Sequence, residues 1–364
     1  MPSTTIYCLN AFLLSVVAIS LMLRLAPRIG LVDVPNERKH HEGRIPLVGS
    51  GLFIAVLIAA LLLPGSGKLG WFLLSMALIV LVGVVDDLID LRAGVKFALQ
   101  CAVVTVMVLP GGVLVQNAGV LIGGQPFLLL NWAAPVTIFA VVGMVNAINL
   151  IDGLDGLAGG VSFVALLWLA VAAVLLGKPF ETLLILVFAF GILGFLAFNF
   201  RLPWRTRAAG FLGDAGSMML GLALSYAAIT LTQSGEHDLP PTSALWICAL
   251  PVIDTLSVIV RRLAAGESLA SPDSRHLHEL LRNTGWSVSQ TVVVLIAISA
   301  ALGAVGVAGW LLGVPDRIML LGLLIPAAAH SCFIRYGTKQ RRRTGPGTAA
   351  VTKSSVLEAG QHLE

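Results

Sequence analysis

The chain alternates between apolar runs of about twenty residues and short polar or Pro/Gly-marked breaks. Runs of that length match the hydrocarbon thickness a helix must cross. They fall near 5–25, 46–64, 69–86, 93–110, 131–149, 159–177, 181–199, 210–231, 242–262, 289–312 and 315–334. The pattern therefore predicts an all-α polytopic integral membrane protein of about eleven transmembrane helices. Breaks such as Leu63-Pro64-Gly65 and Leu109-Pro110-Gly111-Gly112 separate neighbouring runs. Residues 111–130 are Gly-rich with Val, Leu and Phe, and read as either a surface hairpin or a helix edge. The first run has no Lys or Arg before it and no small-residue cleavage site after it, so it reads as a retained helix.

Composition agrees with this pattern. Hydrophobic residues make up 57% of the chain and charged residues only 12%, where a soluble domain carries about 25%. All but Lys68, Lys178 and Arg317 of the 23 Lys and Arg residues fall on one side of the membrane if the segments after runs 1, 3, 5, 7 and 9 share that side with the tail. The positive-inside rule makes that side cytoplasmic, with the N-terminus outside and the C-terminus inside. The net charge of +4 is mostly juxtamembrane and gives no sign of nucleic-acid binding. Cys8, Cys101, Cys248 and Cys332 stand singly in apolar runs, without metal or redox spacing. The sequence divides into a transmembrane region, 1–335, and a basic, disordered-looking tail, 336–364, with Arg341, Arg342 and Arg343.

Acids cluster on the same cytoplasmic side, and the charge rule for Lys and Arg does not explain them. Asp86, Asp87 and Asp90 end the third run, and one helical face would group them. Like charges that close repel unless a cation or a proton intervenes. Lys96, ten residues past Asp86, could counter them or bind phosphate. The loop at 145–160 holds Asn146, Asn149, Asp152 and Asp155 among four glycines, between two apolar runs. Asn149 and Asp152 are three apart and share a helical face. Asp214 lies in Phe211-Leu-Gly-Asp-Ala-Gly-Ser217, where a helix start favours an acid as cap or first-turn residue. Hard oxygen donors without thiolates suit Mg²⁺ or Mn²⁺. Two further loops carry basic groups: Lys39 with Arg38 and Arg44, and Arg275 with His276 and His278. Fixed positive charge and ring donors of this kind suit phosphate or diphosphate.

Taken together, Asp86-Asp87, Asn146-Ala-Ile-Asn-Leu-Ile-Asp-Gly-Leu-Asp-Gly-Leu-Ala-Gly159 and Phe211-Leu-Gly-Asp-Ala-Gly-Ser217 resemble the polyprenyl-phosphate N-acetylhexosamine-1-phosphate transferase family over about residues 5–335. The loops Asp33-Val-Pro-Asn-Glu-Arg-Lys39 and Ser271-Pro-Asp-Ser-Arg-His-Leu-His278 are similar to the bacterial branch that acts on UDP-N-acetylglucosamine and undecaprenyl phosphate. The resemblance implies transfer of the sugar 1-phosphate to the lipid phosphate at the inner face of the plasma membrane. UMP is released, and O-antigen or another cell-envelope polysaccharide begins there. It implies Mg²⁺, or Mn²⁺, on Asn149 and Asp214. Asp86, Asp87, Asp152 and Asp214 are the acids expected to act in the reaction. Lys39, Lys96, Asn146, Asp155, Arg275, His276 and His278 would bind substrate, with Asp155 near the uracil. The partners would be the two substrates and the lipid bilayer, and the family is compatible with a homodimer. The branch usually reads His-x-His-His, whereas Glu279 stands here at the last position. Two variants of the reading remain: another UDP-N-acetylhexosamine, or phospho-N-acetylmuramoyl-pentapeptide transfer. An ion-coupled transporter would place acids deep in the spans and show an internal repeat.

Overall fold

The computed structural model describes residues 3–34, 43–233, 235, 238–267 and 276–344. Fourteen α-helices among them carry nearly all the regular structure: α1 Thr4–Leu25, α2 Gly49–Leu61, α3 Gly70–Ile89, α4 Ala93–Val108, α5 Ala133–Ile151, α6 Leu157–Leu175, α7 Pro179–Asn199, α8 Gly213–Thr232, α9 Pro241–Ile247, α10 Ala249–Ala265, α11 Leu277–Asn283, α12 Val288–Leu311, α13 Asp316–Gly322 and α14 Leu324–Thr344. Among the described residues, eight helical segments are long and apolar enough to cross a membrane. The pair α9 and α10 is long and apolar enough only when taken together, and it is bent by 82°. The helices α2 and α4, of 13 and 16 residues, are apolar but shorter than a full crossing.

The break at Cys248 corrects the continuous helix expected over 242–262, and its cause is local. Pro251 has no N–H to offer the carbonyl of Ile247, and its ring disfavours helical geometry just before it. Pro326 does the same to the carbonyl of Gly322, where α13 gives way to α14. The last helix runs on to Thr344, through the three arginines, in keeping with the good helix propensity of Arg and Lys.

Helix α8 is the axis of the bundle. Three quarters of its 20 residues are buried, and α2, α3, α5, α6 and α7 pack around it. Glycine makes that packing possible. A Cβ on Gly83 of α3 would lie 2.3 Å from the Cα of Ala215, and one on Gly221 would lie 2.5 Å from the Cα of Val145 in α5. The helices therefore meet backbone to backbone.

One end of the bundle carries a small strand platform. Strand β1, Val32–Asp33, pairs antiparallel with β2, Ile45–Pro46, and the chain then bridges to Phe211 just before α8. Its hydrogen bonds run from Phe211 N to the Pro46 carbonyl and from Val48 N to the Phe211 carbonyl. The other end carries residues 111–130, which form the surface hairpin rather than a helix edge. Asn117 pairs with Leu128 and Ile122 with Gln125.

Candidate active site

Four helices end together beside the strand platform. Helices α3 and α5 finish there, and α4 and α8 begin there. Asp86, one turn before the end of α3, is 7% exposed. One of its oxygens accepts the Leu91 N–H at 2.8 Å and fixes the α3–α4 turn. The other contacts the Lys96 ammonium at 2.6 Å. Lys96, from the first turn of α4, also contacts Asp214 Oδ1 at 2.9 Å and donates to Asn149 Oδ1 at 3.3 Å. The Asn149 amide donates to Asp214 and, at 2.9 Å, to Ser217 Oγ. One cation thus joins groups from α3, α5 and α8.

Asp87 faces a different way. Its two oxygens accept the backbone N–H groups of Asp214 at 2.9 Å and Ala215 at 3.2 Å. It therefore caps α8 from a neighbouring helix and satisfies donors that a helix start leaves open. Asp214 itself does not cap the helix; its carboxylate is turned to Lys96 and Asn149. Gly213 makes room for this exchange. Its φ is +69°, which side chains disfavour, and a Cβ there would meet Asp87 Oδ2 at 2.8 Å.

The loop after α5 completes this end. Asp152 follows the last residue of α5. Burial, followed by the carboxylates of Asp214, Asp87, Asp155 and Asp33, pushes Asp152 up to about 8. Asp155 is turned to the loop before α8, where it accepts from Arg201 Nε at 2.7 Å and Ala208 N at 3.2 Å. Buried Asn199 pins this loop by accepting the Gly156 N–H at 2.6 Å and donating to the Gly210 carbonyl at 2.9 Å. Asn146 lies one helical turn before the cluster, and its amide donates to Gln100 Oε1 at 2.7 Å beneath Lys96. His278 rests on the loop itself. A Cβ on Gly153 would lie 2.3 Å from His278 Nε2. Burial and then the charge of His276 lower His278 to about 4, against the pull of Asp254.

The expected residues thus divide. Asp86, Asp87, Lys96, Asn149 and Asp214 come together, Asp152 and His278 adjoin them, and Asn146 and Asp155 bond to protein neighbours. Lys39 and Arg275 lie outside the described residues. Asp90 departs from the expected grouping. It terminates α3 with φ +51°, exposed, because the chain must turn there to let Leu91 N reach Asp86. Sequence reasoning assigned no role to Gln100, Ser217, Asn199, Asp254 or His330. An ionisable residue inside an apolar run was the available signal for Asp254 and His330.

Among the described residues, no three His, Cys, Asp or Glu side chains form a group able to hold a metal by themselves. Mg²⁺ asks for less: it commonly takes one or two carboxylates and completes its shell with water and phosphate oxygen. Asp214 and the Asn149 carbonyl, oxygen donors on adjoining helices, fit that requirement.

Residues 69–232, from the start of α3 to the end of α8, match glycosyl transferase family 4. The chain is 32% identical over 342 residues to the undecaprenyl-phosphate alpha-N-acetylglucosaminyl 1-phosphate transferase of Escherichia coli K12, covering 92% of each. It is 33% identical to the Yersinia pestis protein of that name, covering 90% of this chain and 88% of the relative. For the Haemophilus influenzae protein the identity is 32%, over 89% and 91%. With that identity along nearly its whole length, and the matched segment carrying the whole acid–lysine cluster, the chain belongs to glycosyl transferase family 4.

Proposed function

We propose that this protein transfers N-acetylglucosamine 1-phosphate from UDP-N-acetylglucosamine to undecaprenyl phosphate, forming undecaprenyl-diphosphate-N-acetylglucosamine and UMP. The observation that carries the reading is the Lys96 ammonium gathered with Asp86, Asp214 and Asn149 at one end of a membrane-length bundle. The activity in the relatives' names supplies the substrates. An oxygen of the lipid phosphate attacks the phosphorus that bears the sugar, and the bond from that phosphorus to the departing UMP oxygen breaks.

Both reactants are anions, and their approach is repulsive where the dielectric is low. Lys96 offers a fixed positive charge to the phosphate groups. Asp214 and Asn149 are the residues that would hold Mg²⁺, with Mn²⁺ as substitute. When bound, the ion supplies charge neutralisation for the diphosphate and for the UMP that leaves. Asp86 positions Lys96, and Asp87 holds the start of α8, which presents Asp214. A phosphate monoester with pKa near 6 is already largely dianionic at neutral pH, so no strong base is required. Direct attack accounts for the arrangement better than an aspartyl intermediate. Asp86 and Asp87 would each have to give up hydrogen bonds that shape the site before either could act as nucleophile. The resemblance assigns His276 and His278 to the diphosphate or sugar.

The distribution of Lys and Arg supports an N-terminus outside, a C-terminus inside and a site facing the cytoplasm of a bacterial inner membrane. Counting α2 and α4 as crossings, with flanking residues, gives eleven. The product would begin an O-antigen or related envelope polysaccharide.

Purified protein in lipid nanodiscs, given undecaprenyl phosphate, Mg²⁺ and a panel of UDP-N-acetylhexosamines, tests this. UMP release should be at least about tenfold faster with UDP-N-acetylglucosamine than with its rivals. Chelation should stop it, and Asp214→Ala should lower it at least about a hundredfold. Full activity of the variant, or no UMP from any donor, would overturn the reading.

A further inference from the structure

Asp254 lies in α10, within the bent apolar pair α9–α10, and is 3% exposed. An acid in such a segment is costly and calls for partners. Three donors converge on it. His276 Nδ1 is 2.7 Å from Oδ2, while Leu277 N and His330 Nε2 are 3.0 and 2.9 Å from Oδ1. His276 and His330 are themselves buried, at 6% and 8% exposure. The carboxylate thus ties α10 to the entry of α11 and to α14.

We infer that Asp254, braced by His330, is a positioning residue that sets His276 and His278 over the loop following α5. The contacts run in one direction. Asp254 holds His276 and the first N–H of α11. The His276 ring stacks on His278, with centroids 5.7 Å apart and planes 12° from parallel. His278 Nε2 presses on Gly153, next to Asp152. Helix α11 has only seven residues, and beyond the His rings its buried apolar anchors are Leu280 and Leu281. A helix that short has little stability of its own and takes its place from tertiary contacts. The acid at its entry is such a contact, and it bonds backbone and side chain together.

This assignment rests on the reaction proposed above for its substrate, and it predicts a specific split. In the reaction proposed above His276 and His278 serve the nucleotide-sugar, so loosening them should weaken that substrate and spare the lipid. The test compares wild type with His330→Leu, His330→Gln and Asp254→Asn, each assayed against both substrates. Hydrogen exchange of residues 277–283 is followed without substrate. Glutamine can present an N–H near the place of His330 Nε2, and leucine cannot. For His330→Leu the KM for UDP-sugar should rise at least about fivefold, while the KM for undecaprenyl phosphate stays within about twofold. Exchange in 277–283 should quicken, with α12 unchanged, and His330→Gln should restore both readouts. A fall in kcat alone, an unchanged KM for the sugar donor, or a failure of glutamine to rescue would overturn the inference. Should His330→Leu not fold, Asp254→Asn, nearly isosteric, carries the same expected split and the same refutation. A wild-type protein that releases no UMP would sink the proposed reaction instead. The exchange measurement would then judge the positioning role by itself.

Discussion

The two ends of the helix bundle spend their polar side chains differently. At the end where α3 and α5 finish, charged and amide groups meet one another: Asp86, Lys96, Asn149 and Asp214 make a side-chain cluster drawn from four helices. At the opposite end one ion pair, Lys178 with Asp238 at 2.6 Å, joins two side chains, and most other polar side chains serve the backbone. Gln233 accepts the N–H groups of Gln116 and Asn117 at 2.9 and 3.0 Å and donates to the Asn117 carbonyl at 2.8 Å. Asp316 accepts from Val120 N at 2.7 Å and Thr242 at 2.6 Å. These bonds fasten the 111–130 hairpin and satisfy groups that would otherwise be orphaned. Several charges and an amide gathered at one point in partial burial are costly and point to chemistry, whereas a single ion pair or side chains saturating a loop point to structure.

That contrast is open to attack at both ends. The largest expected effect is at Lys96. Lys96→Ala should lower UMP release about a hundredfold while thermal unfolding moves little, because the neighbouring acids can take up protons or cations. An active variant with a collapsed melting temperature would reverse the contrast. Gln233→Ala should do the opposite. It leaves three backbone groups short of partners and should cost about 1–2 kcal/mol of stability, read from denaturation in detergent, with kcat within about twofold of wild type. A smaller effect concerns His278, whose folded-state pKa of about 4 lies below the 6.5 of the free side chain. Between those values the unfolded chain binds a proton that the folded one refuses. The contribution of His278 is therefore fully present above about pH 6.5 and is lost as pH falls towards 4. His278→Gln should flatten that part of the melting-temperature profile, and an unchanged slope would show that other groups set it.

The comparison also separates what the sequence discloses from what it hides. Apolar periodicity located the helices, because membrane length and turn residues are properties of single segments. It missed the bend at Cys248, although Pro251 was in view, since a proline in a span can kink or merely be tolerated. Asp86, Asp87, Asn149 and Asp214 were legible as candidates because each stands in a motif of acids and glycines. That Asp87 would cap α8 while Asp214 turned away from that task depends on how α3 crosses α8, which no local pattern records. Asp254 and His330 are 76 residues apart, each solitary among apolar neighbours. Only the fold makes them partners.

The close crossings at Gly83 and Gly221 bear on how this enzyme can change. With main chains touching on two sides, α8 cannot shift to absorb a bulkier neighbour, and the acid it presents has no slack. Variation that retunes the choice of sugar is therefore expected in the loops reaching over the site, while the transmembrane crossings stay refractory to substitution.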